Sequence, residues 1–341
     1  MRVSSNQFHM QSFSAIEKHQ NSVLDIQEKL TTGNRVNRPS DDPVATSQIH
    51  SLNKAVNTIS QFEKNGDFAK SQLSLEETQI STAVDLTQRA RELSIQMMNG
   101  TYTAEDRQAT AQEIDQIIKH LTGIMNSNNS EGELLFAGNN VDATAAFVAD
   151  PANSGALQPG NEYYAYIGST NAGAQFDERA QFGSRFVQIG FDNDQTAAPD
   201  DKGDSSRVRI TDNGAQVFNV PGGATSLPAG VDPSLLNVLV GLKDSLDQGN
   251  PPPDAIGDDL LSAVQGLSKQ QAEIGSRQNR IQTQFEAGQT FSMALQERRV
   301  SIEEMDVVEG ISQLNMRQNA LQMAQQVFSK VQGMSLFDYL N

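Results

Sequence analysis

Apolar residues recur at helical spacing over residues 8–31, where Ile16, Val23 and Leu30 stand seven apart with Ile26 beside them. This pattern predicts an amphipathic helix. After Pro43 a second helical pattern begins and runs to about Met98. Leu52, Ile59, Leu73 and Ile80 share one seven-residue track, with Ile49, Val56 and Val84 on a neighbouring one, and Gly66 interrupts the first. At 1.5 Å per residue such a helix would be roughly 80 Å long, more than a compact domain needs, so either a break or a rod is expected. The stretch NGTYTAED (99–106) ends it and starts another helix, since Thr103 is a capping residue with Asp106 three positions on. Ile114, Ile117, Ile118, Leu121 and Ile124 then line one face, as far as the polar run NSNNSEGE.

From Leu134 the period shortens. YYAYIG (163–168), RFVQIGF (185–191), RVRIT (207–211) and QVFNV (216–220) are short, partly alternating and bounded by Gly, Asn, Asp and Pro, which is the pattern of strands. Helical pattern returns at Pro233–Leu246, breaks at GNPPPD (249–254) and resumes to the end. There Val300, Val307, Leu314, Leu321 and Phe328 fall every seven residues, broadened by Ile311, Ala324 and Val331. The expected fold is mainly α with a β-rich insertion: a long-helix bundle or coiled coil formed from both chain ends, with an inserted all-β outer domain. The expected division is a terminal coiled-coil region (1–40 and 300–341), a discontinuous helical shaft (41–133 and 235–299) and the outer insertion (134–234).

Composition narrows the chemistry. The 341 residues include no cysteine, so disulfides, thiol catalysis and Cys-bound metals are excluded. No run approaches the ~18 consecutive apolar residues of a membrane span. The first twenty residues lack the apolar core of a secretory signal peptide, so none is expected. A net charge of −17 without a basic stripe argues against nucleic acid as a partner. The first forty residues are slightly basic and the last forty slightly acidic, which fits ends that meet.

The four histidines, His9, His19, His50 and His120, have no ligand spacing. The sequence holds no G-x-x-x-x-G-K-[ST] phosphate loop, no G-x-S-x-G elbow and no H-E-x-x-H. The acidic run DNDQTAAPDDKGD (192–204) lacks the Gly and Glu of an EF-hand loop and is expected to be a solvated loop. Glu76–Glu77 and Glu303–Glu304 are adjacent on helices, point apart and are expected on solvated faces. No catalytic, cofactor-binding or metal residue is therefore expected.

Residues 31–46, TTGNRVNRPSDDPVAT, join the first two helices. Arg35 and Arg38 could grip an anion, but Gly33 stands alone and provides no glycine-rich cradle. A structural corner accounts for more of the stretch. Gly33 fits the position after a helix end, Pro39 forces its predecessor to be extended, and Ser40 or Asp41 can cap the next helix. Asp42 complements the helix dipole, and Pro43 suits a first turn.

MRVSSNQ, KLTTGNRVNRPSDDPVAT, LLFAGN (134–139) and IGSRQNRI, in that order, resemble the flagellin superfamily over roughly 1–140 and 235–341. The insertion is similar only in scattered pieces such as YIGST and QVFNV. The start MRVSSNQFHMQS, the prolines of RPSDDP and the phrase LLFAGN resemble the superfamily's hook–filament junction members more than its filament subunits, and the tail SLFDYLN departs from the flagellin ending. The resemblance implies a structural protein without enzymatic activity or cofactor. It implies export by the flagellar type III apparatus with a chaperone, and a secreted, extracellular place in the bacterial flagellum. There it would assemble with copies of itself between the first hook-associated protein and flagellin. It also implies ends that order into an inner coiled coil on assembly. The candidate interface is Ile16, Val23, Ile26, Leu30, Arg35, Arg38, Asp41, Asp42, Val307, Ile311, Leu314, Leu321 and Phe328. The alternatives are a flagellin filament subunit and a surface-recognition module carried by the β insertion.

Overall fold

The computed structural model describes residues 2–138, 140, 143–168, 185–191 and 206–340, with side chains at 7 and 9–330 of these. The acidic run 192–204 and the end of YIGST lie outside the described residues. The helices are α1 (Arg2–Thr32), α2 (Pro43–Met97), α3 (Ala104–Met125), α4 (Gly214–Val217), α5 (Leu235–Asp247), α6 (Asp254–Glu303) and α7 (Val307–Leu340). The strands are β1 (Phe147–Asp150), β2 (Tyr163–Tyr166), β3 (Phe186–Gln188) and β4 (Arg207–Arg209). The fold is mainly helical with small sheets in the middle of the chain. Among the described residues, no helix is long and apolar enough to cross a membrane.

The chain divides into two compact units, Met1–Ile59 with Gln289–Asn341, and Ser60–Gly288. In the first, α1 packs along α7. The helical pattern does not run unbroken to the end as expected: α6 stops at Glu303 and α7 starts at Val307. Asp306 restarts the helix, its Oδ1 accepting from the amides of Val308 (2.8 Å) and Glu309 (3.4 Å). Val300 and Val307 therefore belong to different helices, and the seven-residue track does not continue through the break. At the start of α2, Pro43 sits in the first turn as expected. The cap is Asp42 rather than Ser40 or Asp41, because Asp42 Oδ1 takes the Ala45 amide at 3.0 Å.

In the second unit α2 continues through Gly66 without a break. Its buried positions include Leu73, Ile80 and Thr87 on one seven-residue track and Ala69, Glu76, Ala83, Ala90 and Met97 on the next. These tracks meet the buried faces of α3 and α5 and the stripe Ile256, Leu260, Ala263, Leu267, Ile274 and Ile281 of α6 in one core. Glu76 is thus fully buried rather than solvated as expected, since its register places it on the core stripe. The capping box predicted at Thr103 and Asp106 is present in full. LLFA (134–137) lies at the centre, where the Phe136 ring meets Phe218 edge-on at 4.9 Å.

β1 and β2 pair antiparallel with Phe147 opposite Tyr166, and β3 pairs β4 with Val187 opposite Val208. Each outer edge of the β1–β2 pair is closed by an asparagine. Asn126 takes the Phe147 amide (2.8 Å) and donates to its carbonyl (2.9 Å). Asn237 of α5 does the same for Tyr164 at 2.7 and 2.9 Å. These side chains mimic a neighbouring strand and leave little edge to pair elsewhere. QVFNV is not a strand: Asn213 accepts from the Ala215 amide at 2.8 Å and starts the single turn of α4. A local side-chain cap outweighs a two-residue alternation there.

Candidate assembly surface

The corner after α1 is built from its own polar side chains. Gly33 has φ +75°, a left-handed conformation that glycine adopts without strain. Asp41 Oδ2 receives the amides of Asn37 (3.2 Å) and Arg38 (3.0 Å). The Arg38 amide, above all, holds the Asp41 carboxyl below its ordinary range. For Asp42 the Ala45 amide does the same, helped by Arg35. Arg38 makes a two-oxygen contact with Glu28 of α1 at 3.0 and 2.9 Å. Arg35 lies 3.4 Å from Asp42 and donates to the Ile302 carbonyl at 3.0 Å. Both guanidiniums are therefore engaged by the chain itself, and among the described residues no anion cradle forms around them.

The corner is stitched to the break between α6 and α7. The Arg35 amide donates to the Glu303 carbonyl at 2.7 Å, and the Met305 amide to the Gly33 carbonyl at 2.9 Å. Asn34 and Glu304 thus form an isolated antiparallel bridge. Glu303 and Glu304 sit at this joint, and Arg299 pairs with Glu303 at 3.5 Å.

The candidate interface residues fall into two sets. Val23 and Ile26 are buried, while Ile16, Leu30, Leu314, Leu321 and Phe328 are half-buried on the paired helices. At Gly310 the helices come close, for a Cβ there would lie 2.7 Å from Leu30 Cδ2. Phe328 meets the His9 ring edge-on at 6.1 Å. Val307 and Ile311, in contrast, are 56% and 49% exposed. They continue into Val308, Met316, Met323 and Val327 on α7, with Met10, Phe13 and Leu24 exposed on α1. The helix pair thus keeps much apolar surface outside its own seam. An open groove lined by His9, Met10, Phe13, Glu17 and Phe328 lies on the same unit.

The sequence reading missed Glu28, Asp306 and Gly310. Asp306 had a legible signal, the spacing Asp-x-x-Glu to Glu309; Glu28 and Gly310 had none, because their partners are known only from the fold. Among the described residues, no group of three or more His, Asp or Glu could hold a metal ion.

Residues 3–141 match the model of the bacterial flagellin N-terminal helical region, and 258–340 that of the bacterial flagellin C-terminal helical region. The flagellar hook-associated protein 3 of Salmonella typhimurium is 27% identical over 352 residues, with 99% of both chains covered. The flagellin FlaB1 of Treponema pallidum is 31% identical over 111 residues, covering 33% of this chain and 39% of its own. Among solved structures, the flagellar hook associated protein-3 of Legionella pneumophila shares the fold with a TM-score of 0.55 and 16% identity. That likeness covers 74% of this chain and 99% of the other. Matched at both helical ends, over well more than half of its length, the chain belongs to the flagellin superfamily.

Proposed function

We propose that this protein is the structural junction of a bacterial flagellum, an adaptor that polymerises between the hook and the flagellin filament. The observation that carries the reading is the end-to-end similarity to hook-associated protein 3, set against a flagellin similarity confined to about a third of the chain. In this reading the work is done by interfaces and no reaction is catalysed. The ends (1–40 and 300–341) form the assembly region, 41–133 with 235–299 the shaft, and 134–234 the outer insertion. The protein leaves the cell through the flagellar type III apparatus, accompanied until then by an export chaperone. It then forms a layer of its own copies, with the first hook-associated protein on one side and flagellin on the other.

The half-buried seam of α1 and α7 and the apolar residues outside it support such a layer. Isolated helices of this kind gain most of their stability from partners, and the ends complete their order on assembly. Head-to-tail contacts are the interface class that builds layers rather than closed pairs. Deleting the gene discriminates an adaptor from a filament subunit. An adaptor's loss leaves cells without filaments while flagellin is still exported into the medium. A medium free of flagellin, or filaments of normal length, would overturn the proposal.

A further inference from the structure

The core stripe of α2 carries one charged residue, Glu76, with no exposed surface. Among the described residues, neither of its carboxyl oxygens has a hydrogen-bond partner. Facing it are Asp212 from the segment after β4, Arg209 of β4 and Arg277 of α6, with Glu273 of α6 behind the arginines. Arg277, itself buried, donates from Nη2 to both Asp212 oxygens at 3.1 and 2.9 Å. Arg209 Nε lies 2.9 Å from Asp212 Oδ1, and its Nη2 is 2.7 Å from Glu273 Oε1. The charges balance without Glu76: two guanidiniums face two carboxylates. An ionised Glu76 would add a third negative charge, the second buried one after Asp212, with no donor, at the cost of desolvation and of repulsion from Asp212. Two carboxyl groups can hydrogen-bond only when one carries a proton.

We propose that Glu76 is the neutral acid in the folded protein and works as a proton-dependent latch, its hydroxyl bonding Asp212 and tying α2 to the segment that Arg277 holds on α6. The electrostatics agree. Burial, and then the Asp212 carboxylate, push the Glu76 carboxyl well above its ordinary value against the pull of Arg277 and Arg209. For Asp212 burial acts upward, but Arg277 and Arg209 together bring it below its ordinary value. The signs therefore oppose. The Glu76 contribution is complete below the ordinary value of 4.5 and is lost as pH rises through its raised value. The Asp212 contribution is present above 3.8 and is lost as pH falls. The latch is closed between these limits and opens on the alkaline side.

Hydrogen–deuterium exchange of the full chain, wild type and Glu76→Gln, tests this across about pH 5 to 9 with labelling times corrected for intrinsic exchange. Wild-type protection over 206–213 falls as pH rises, by about tenfold for each unit of pH in the titrating range. In Glu76→Gln, whose amide is neutral and can donate to Asp212, protection stays level and exceeds wild type at alkaline pH. Flat wild-type protection, or a variant that loses protection equally at every pH, overturns the latch. Infrared spectra supply an arm that does not need a stable variant. A carboxylic-acid carbonyl band is present near neutral pH in wild type and fades on raising the pH. Asp232 is also pushed up by burial, so the band is assigned by its absence from Glu76→Gln wherever that variant folds. A wild-type spectrum with no such band contradicts the proposal.

Discussion

Asp42 and its neighbours show how much a few side chains decide. Asp42 caps α2, Asp41 gathers two amides, and Arg35 and Arg38 span from the corner to the α6–α7 break and to α1. Their ion pairs are exposed, and contacts of that kind contribute little to stability. They fix the direction of the chain more than they stabilise it. Both carboxyls lie below their ordinary range, so their contribution is present above 3.8 and is lost as pH falls below it. The double reversal Arg35→Glu with Arg38→Glu places four acidic groups around the corner. Loss of assembly is expected, with melting of the 60–288 unit unchanged; normal assembly would return the corner to a purely local role. Gly33 and Pro43 were legible in the sequence because each answers to its own backbone. The cap was one residue off because Ser40, Asp41 and Asp42 all have a capping oxygen, and only the observed turn selects among them.

At the scale of elements, apolar periodicity located the long helices but not the second half of their buried stripes. On α2 the track Ala69, Glu76, Ala83, Ala90 and Met97 is small or charged for most of its length, so it carries little hydrophobic signal although it is buried. Strand β1 was missed because FVAD has a single buried alternation, and Asn126, distant in sequence, closes its edge. The split of α6 from α7 rests on Asp306, and that cap is testable. Asp306→Ala removes about 1 kcal/mol of helix initiation and should raise the concentration needed for assembly by about fivefold. Asp306→Asn keeps the capping oxygen and should assemble at nearly the wild-type concentration. Equal behaviour of Ala and wild type in a polymerisation titration would mean that the restart of α7 is not set by its cap.

For the whole molecule, the family and the helical class were readable because the ends hold several ordered motifs, and each has a physical task in the fold. LLFA fills a core centre, the corner turns the chain, and IGSRQNRI places Ile274, Arg277 and Ile281 on the buried stripe of α6. Which apolar residues of the ends pack within the chain was only half legible. Heptad spacing found Leu314, Leu321 and Phe328 on the α1–α7 seam, yet it ranked Val307 and Ile311 with them, and these face outward. A seam for the chain itself and a surface for its neighbours cannot be separated by spacing alone, since both demand apolar residues at helical intervals. In a junction protein of this build, function resides in the helical ends. The measurement that tests this most directly is filament growth in cells whose only copy of the gene carries Leu314→Asp and Leu321→Asp, with export of the variant verified in the medium. The expected result is an exported protein whose 60–288 unit melts normally, on cells that bear hooks without filaments. Filaments of normal length on those cells would contradict it.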